Sequence, residues 1–96
     1  MAELTPEQVK GALGAVKGWE KQSAEIQRTY EFKDFAAAMD FVNKVARVAE
    51  EANHHPDIDI RWNKVKLALA THSEGGLTQK DFDLAKKIDG LASGAK

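Results

Sequence analysis

The stretch at residues 57–71, DIDIRWNKVKLALAT, contains two short runs in which apolar and polar residues alternate. Such alternation is typical of a β-strand with one buried face. Only Asn63 and Lys64 separate the runs, which predicts a tight antiparallel hairpin. Lysine is not a favoured second residue of a two-residue turn, so a longer or bulged turn stays open. The residues on the apolar side are Ile58, Ile60 and Trp62 in the first run and Val65, Leu67, Leu69 and Thr71 in the second.

The turn also predicts which residues of the hairpin face each other. If Trp62 faces Val65, the apolar sides of the two runs agree along the whole hairpin. Carried to the open end, this register places His55 opposite His72, with Cβ atoms roughly 5 Å apart. Strand alternation would point His54 away from His55, but the junction before the strand could turn both rings into one cleft.

A long amphipathic helix is predicted to precede the hairpin. Asp34 is a good N-cap, and the helix must stop before Pro56 because the residue before proline avoids the helical region. The histidine pair therefore lies at a helix-to-strand junction. The apolar residues that recur at helical spacing are Phe35, Met39, Val42, Val45, Ala46 and Ala49.

Further upstream, residues 19–32 (WEKQSAEIQRTYEF) predict two short strands on either side of residues 22–23. Ile26, Tyr30 and Phe32 fall on one parity, which indicates a half-buried second strand. We expect Trp19, like Trp62 in the hairpin, to be a core or interface residue.

The first helix is predicted to begin within LTPEQV, residues 4–9. Thr5 and Gln8 can form a capping box, and Pro6 suits the first helical position. The helix is expected to end near residues 17–18, where glycine allows a left-handed exit.

The segment after the hairpin predicts a turn and a final helix. Gly75 and Gly76 favour the turn, and Thr78 is a suitable N-cap. Asp81 stands at the third helical position, where its simplest role is a capping carboxylate and its alternative role is to support a site. Residues 92–96 are predicted to form a frayed tail.

Together these elements predict an α+β fold with the order α-β-β-α-β-β-α. The strands are best joined as a four-stranded antiparallel sheet, with the helices packed on its apolar face. At 96 residues the chain is expected to form a single domain, residues 1–96, with one modest core.

Composition narrows the classes of function. The net charge of -1 gives no electrostatic reason to expect a nucleic-acid or membrane partner. No apolar run approaches the roughly 20 residues of a membrane helix, and the polar N-terminus does not resemble a signal peptide. Cysteine is absent, which excludes disulfides and thiolate zinc sites within this sequence. We therefore expect a cytoplasmic protein.

The three histidines, His54, His55 and His72, suit acid–base chemistry if they share one cleft. An imidazole can donate or accept a proton near neutral pH, so two can protonate a leaving hydroxyl and remove a proton elsewhere. One alternative is that histidines at a helix end only interact with its carbonyls and dipole. Another is a three-histidine zinc site, although adjacent histidines make convergence awkward and no carboxylate is clearly placed behind them.

Residues 53–84, NHHPDIDIRWNKVKLALATHSEGGLTQKDFDL, resemble the signature of the pterin-4a-carbinolamine dehydratases. The matching elements, at the family's spacing, are His54, His55 and Pro56, Trp62 followed by Asn63, Thr71 and His72, Gly76 and Leu77, and Asp81. The family more often has tyrosine where this chain has Trp62. The order of elements extends the resemblance over nearly the whole chain.

The resemblance implies a dehydratase that needs no cofactor and no metal. Its substrate would be the 4a-hydroxytetrahydropterin that aromatic amino-acid hydroxylases release, and its product the quinonoid dihydropterin of tetrahydrobiopterin recycling. It implies a homodimer or homotetramer. The alternative is a non-catalytic dimerisation or assembly cofactor with the same fold. The implied substrate-binding residues are His54, His55, Pro56, Thr71, His72, Ser73 and Glu74, with Asp81 in support.

Within that resemblance we expect His54 and His72 to transfer the protons and His55 to orient the substrate. Thr71 has two interpretations, as a polar strand end or as a hydroxyl that contacts substrate. The residues alone do not divide the acid, base and orienting roles among the three histidines.

Overall fold

The computed structural model describes residues 2–94 and has the predicted order of elements. The elements are α1 (Pro6–Leu13), β1 (Glu20–Gln22), β2 (Glu25–Glu31), α2 (Phe35–Ala52), β3 (Asp57–Arg61), β4 (Lys64–Leu69), a 3₁₀ turn (His72–Glu74) and α3 (Gln79–Gly94). The four strands form one antiparallel sheet in the order β1-β2-β4-β3. The predicted α+β fold is therefore confirmed.

The core lies between the two central strands and helices α2 and α3. On β4 the alternation predicted from sequence holds, because every second side chain is buried, and on β2 Ile26 and Tyr30 are buried on the predicted face with the half-buried Arg28 between them. The buried core side chains of these four elements are Ile26, Tyr30, Ala38, Phe41, Val45, Val65, Leu67, Leu69, Phe82, Leu84, Ala85 and Ile88. Trp19, just before β1, is also buried, as predicted.

Helix α2 begins as predicted, because the Asp34 carboxylate accepts a hydrogen bond from the Ala37 backbone N–H at 2.8 Å. Its buried stripe includes Val45 and Ala49, but Phe35 is 51% exposed and Ala46 is exposed. The predicted stripe was therefore wrong at these two positions, because it allowed a wider apolar face than the helix buries. None of the helices within residues 2–94 is both long and apolar enough to cross a membrane.

Helix α1 ends earlier than predicted. Thr5 and Gln8 form the expected capping box, but the helix stops at Leu13 and not near residues 17–18. The backbone then continues through turns closed by i→i−3 bonds, such as Ala15 N–H to Ala12 O at 3.1 Å. Glycine weakens a helix by about 1 kcal/mol, so Gly11 and Gly14 explain the early end.

Helix α3 runs further than predicted. The proposed tail at residues 92–96 is helical as far as residue 94, and its last two residues lie outside the described part of the chain.

The β3–β4 hairpin exists, but its predicted register was wrong by two residues. Ile60 faces Val65, Arg61 faces Lys64, and the two-residue turn is Trp62-Asn63. A slip of two residues keeps every side chain on its original face, so the alternation could not exclude it. Trp62 lies in the turn at φ 53° and is 69% exposed, so it is not a core residue.

Candidate active site

The end of helix α2 turns one histidine into the protein. Asn53 adopts the left-handed conformation, with φ 51° and ψ 44°. The His54 N–H then bonds to Ala49 O at 3.0 Å and the Asn53 N–H to Glu50 O at 3.1 Å, which is the Schellman pattern of a helix end. His54 is left only 9% exposed. The backbone of the histidine therefore caps the helix, while its ring is free to form another contact.

The ring of His54 contacts Asp81, which is fully buried at the start of helix α3. His54 Nε2 lies 2.5 Å from Asp81 Oδ1. The other carboxylate oxygen, Oδ2, accepts a hydrogen bond from the Thr78 backbone N–H at 2.9 Å. The capping interpretation of Asp81 is therefore confirmed, and its second oxygen contacts a histidine, whereas its supporting role in a site stays a prediction.

Two buried threonines complete this group. Thr71 Oγ1 donates to Asp81 Oδ2 at 2.8 Å, and it lies 2.9 Å from Thr78 Oγ1. Thr71 is 5% exposed and Thr78 is fully buried. The Thr71 hydroxyl is therefore not a free polar strand end, and its predicted contact with substrate stays a prediction. The buried polar cluster consists of His54, Thr71, Thr78 and Asp81.

His55 points elsewhere. Its Nε2 lies 2.5 Å from Glu50 Oε2, and both side chains are largely exposed, at 57% and 76%. Glu50 stands in the last turn of helix α2. The helix-to-strand junction therefore separates the two adjacent histidines and does not turn both rings toward the same partner.

His72 belongs to a short 3₁₀ turn after β4, together with Ser73 and Glu74, and all three residues are exposed. The turn closes through Glu74 N–H to Thr71 O at 2.9 Å and ends at Gly75, with φ 82°. The strand ladder stops at Asp57 opposite Ala68, so the predicted pairing of His55 with His72 was wrong. The physical reason is the two-residue shift of the hairpin, which moves His72 past the end of the paired strands.

The structure thus joins some of the predicted residues by side-chain contacts and leaves others apart. His54, Thr71 and Asp81 belong to one hydrogen-bonded cluster, whereas His55 and His72 lie at the surface and Pro56 is half-buried. Sequence reasoning did not assign a site role to Thr78 or Glu50. Thr78 could have been found, because it stands three residues before Asp81, whereas nothing in the pattern singled out Glu50.

The zinc alternative requires three imidazoles directed at one point. His54 and His55 instead have different carboxylate partners, Asp81 and Glu50. Within residues 2–94 no three histidine, aspartate or glutamate side chains are grouped as metal ligands would be.

Comparison with known proteins identifies the family. The family model described as "Pterin 4 alpha carbinolamine dehydratase" matches residues 2–91. The chain belongs to this family. The predicted resemblance is thereby confirmed, and it covers the buried cluster and all three histidines.

Relatives agree over nearly their full length. A protein of Acidobacterium capsulatum, provisionally named pterin-4-alpha-carbinolamine dehydratase, is 58% identical over 91 residues, which are 95% of this chain and 99% of the relative. A crystal structure from Brucella melitensis, described as a transcriptional coactivator/pterin dehydratase, has a TM-score of 0.90 at 39% identity and covers 94% of this chain and 98% of its own.

A more distant structure shares the fold. It is described as a pterin dehydratase-like protein identified as a RuBisCO assembly factor in the alpha-carboxysome. Its TM-score is 0.65 at 21% identity, with 77% of this chain and 86% of the other covered. Proteins with this fold are therefore described both as dehydratases and as an assembly factor.

Proposed function

We propose that this protein is a cytoplasmic enzyme, a single domain that eliminates water from a 4a-hydroxytetrahydropterin to give the quinonoid dihydropterin. It would serve the recycling of tetrahydrobiopterin after aromatic amino-acid hydroxylation. The observation that carries the proposal is the buried His54–Asp81 pair in a chain of this family. In this proposal the pterin lies against residues 54–56 and 71–74, which include all three histidines.

The chemistry requires two proton transfers and no net change in protons. The C4a hydroxyl gains a proton and leaves as water, while the N5–H bond gives up its proton and its electron pair forms the C4a–N5 double bond. One group must donate a proton and another must accept one, which is the work of a general acid and a general base. Neither step requires a cofactor or a metal.

His54 fits the role of base. When its ring accepts the N5 proton it becomes a cation, and the Asp81 carboxylate 2.5 Å away stabilises that cation by charge. A buried carboxylate that orients and stabilises a histidine in this way recurs in enzymes that use histidine as a base.

His72 fits the role of acid, because its exposed ring can exchange protons with solvent between turnovers. His55 would orient the substrate. Its contact with Glu50 supports this role, because it would limit the positions that the imidazole ring samples.

The second candidate is a non-catalytic assembly role. It is favoured by the exposed large hydrophobic side chains of residues 2–94, which are Phe35, Ile58, Ile60 and Trp62. Ile58 and Ile60 lie on the edge strand β3, and exposed apolar side chains on an open sheet edge favour association with another protein surface.

One assay separates these candidates. Freshly prepared 4a-carbinolamine is mixed with buffer or with the protein, and the formation of quinonoid dihydropterin is followed by absorbance. The proposal expects acceleration that persists after dialysis against a strong chelator. No acceleration by folded protein would favour the assembly role, and loss of rate in chelator with recovery on adding Zn²⁺ would favour the zinc alternative.

A further inference from the structure

The hydroxyl of Thr78 does not cap its own helix. A threonine just before a helix ordinarily accepts a hydrogen bond from a backbone N–H of the first turn. Thr5 does so at helix α1, where its Oγ1 accepts from the Gln8 N–H at 3.2 Å. At helix α3 the Asp81 N–H instead bonds to the Thr78 carbonyl at 3.1 Å, and the Thr78 hydroxyl contacts Thr71.

The direction of the hydrogen bond between the two threonines follows from the single hydrogen that each hydroxyl can donate. Each hydroxyl carries one hydrogen. The Thr71 hydrogen is directed at Asp81 Oδ2, so Thr71 can only accept in its contact with Thr78. Because Thr78 is fully buried, its hydroxyl must donate to Thr71 or lose a hydrogen bond. The chain therefore runs from Thr78 to Thr71 to Asp81.

The acceptor positions of Asp81 likewise determine which nitrogen of the His54 ring carries the hydrogen. Asp81 Oδ2 accepts from the Thr71 hydroxyl and from the Thr78 N–H, which uses both of its lone-pair positions. Oδ1 remains to accept from His54 Nε2. In the neutral ring the hydrogen is then on Nε2, and Nδ1 is the nitrogen that can accept a proton.

We propose that Thr78 is a positioning residue whose hydroxyl, acting through Thr71 and Asp81, holds the neutral His54 ring in the tautomer with hydrogen on Nε2. The Thr71 hydroxyl and the Thr78 N–H hold Asp81 Oδ2, and the Thr78 hydroxyl in turn holds the Thr71 hydroxyl. Loss of the Thr78 hydroxyl therefore leaves the carboxylate freer to turn, so that Oδ1 no longer stays at His54 Nε2. Its effect on turnover rests on the proposed function, whereas its effect on the tautomer does not.

The first test measures the tautomer directly. Long-range ¹H–¹⁵N correlation spectra of the ¹⁵N-labelled wild-type protein, recorded with the ring neutral, show which nitrogen of His54 carries the hydrogen. We expect Nε2. A neutral ring with its hydrogen on Nδ1 overturns the proposal, whether or not the protein is an enzyme.

The second test compares two substitutions of Thr78. Thr78→Val keeps the shape and removes the hydroxyl, whereas Thr78→Ser keeps the hydroxyl and removes a methyl group. We expect Thr78→Val to show a mixture of His54 tautomers and roughly tenfold lower kcat with little change in KM, the scale of one lost hydrogen bond. Thr78→Ser should retain the wild-type tautomer and most of the rate.

Thr5→Val is the matched control, because it removes a capping threonine hydroxyl that does not touch the buried cluster. It should leave the tautomer and kcat unchanged. If Thr78→Val does not fold, Thr78→Cys replaces it as a weaker donor of similar size, with the same expectation. Equal losses in Thr78→Ser and Thr78→Val, or a wild-type tautomer and kcat in Thr78→Val, would contradict the proposal. If the wild-type protein has no dehydratase activity, the His54 tautomer measured in the Thr78 variants still tests the role of the Thr78 hydroxyl.

Discussion

Asp81 illustrates how one buried side chain can serve both structure and chemistry. Its carboxylate accepts a hydrogen bond from the Thr78 backbone N–H at the start of helix α3 and also contacts the ring of His54. A fully buried carboxylate is tolerated only when its oxygens have partners, and here each oxygen has at least one. Removing any partner should therefore affect stability as well as activity.

We predict that His54→Ala both destabilises the protein and slows dehydration. Without the imidazole, Asp81 Oδ1 loses its described partner in a buried site, which costs about 1–3 kcal/mol. The rate should fall by about 10²-fold or more, the usual scale for loss of a general base. Urea unfolding and the carbinolamine assay measure the two effects. Unchanged stability would mean that the His54–Asp81 contact contributes little to folding.

His72→Ala should separate activity from stability. The side chain is exposed, so we expect an unchanged urea midpoint but a rate lower by about 10²-fold or more. His55→Ala is the matched comparison, since it removes another exposed histidine, and it should mainly raise KM. A wild-type rate in His72→Ala would refute its assignment as the acid. A loss of kcat in His55→Ala without a change in KM would assign the proton transfer to His55 and the orienting role to His72.

At the scale of elements, the β3–β4 register is decided by strand β2. Lys64 pairs with Glu31 of β2, so it belongs to a strand and cannot occupy the turn. Asn63 is tied to the same neighbour, because its Nδ2 donates to Phe32 O at 2.8 Å and its carbonyl accepts from the Phe32 N–H. These contacts hold the turn at Trp62-Asn63 although tryptophan rarely adopts a positive φ.

Strand β2 is also joined to helix α3, through Asp89. Asp89 Oδ1 accepts hydrogen bonds from Trp19 Nε1 at 2.9 Å, from Arg28 at 3.0 Å and from the Tyr30 hydroxyl. Burial raises the pKa of Tyr30 well above its usual value, and the hydrogen bond and charge of Asp89 raise it further, against the opposing charge of Arg28. The folded state therefore holds the phenol proton more tightly than the unfolded chain.

We predict an alkaline loss of stability that depends on Tyr30. The stabilisation from the neutral phenol is fully present below the unfolded pKa of about 10, and it is lost as pH rises through that value toward the raised folded pKa. The loss should approach about 1.4 kcal/mol per pH unit above about pH 10. Urea unfolding from pH 8 to 11 measures it. Tyr30→Phe should lack this component, and equal slopes in both proteins would contradict the assignment.

For the whole molecule, the open edge at β3 is the main unpaired surface of the sheet. Ile58 and Ile60 face the same side as the core residues Leu67 and Val65, but they remain 39% and 36% exposed. Beside them Trp62 is 69% exposed. An edge strand with unpaired backbone groups and apolar side chains favours pairing with another strand, and a second copy offers a matching one.

We predict a dimer formed by antiparallel pairing of β3 with β3 of a second subunit about a two-fold axis at Ile60. This register places Asp59 opposite Arg61 of the partner subunit, whereas an axis at Asp59 would place two carboxylates face to face. Sedimentation equilibrium at micromolar concentration should give a dimer or a multiple of it. Ile60→Lys should give folded monomer, and Gln22→Lys on the opposite edge strand is the matched control.

The charge pairing is tested by reversal. Asp59→Arg alone should weaken the dimer, and Asp59→Arg combined with Arg61→Asp should restore it. The histidines of each site should stay within one subunit, since all precede or follow the same hairpin. A single-chain mass for fully active wild-type protein would show that neither fold nor catalysis needs a partner subunit.

The sequence by itself determined the order of elements, the N-caps Thr5 and Asp34, and the core-facing sides of β2 and β4, because these depend on local propensity and on periodicity. It also indicated the family, through the resemblance of its histidine motifs and their spacing to those of known members. Only the tertiary structure decided the hairpin register, since alternation is unchanged by a two-residue slip and contacts with β2 select the outcome. It also decided that His54 is buried against Asp81 while His55 stays at the surface. That separation depends on where helix α3 places a carboxylate 27 residues away along the chain, which no local pattern encodes.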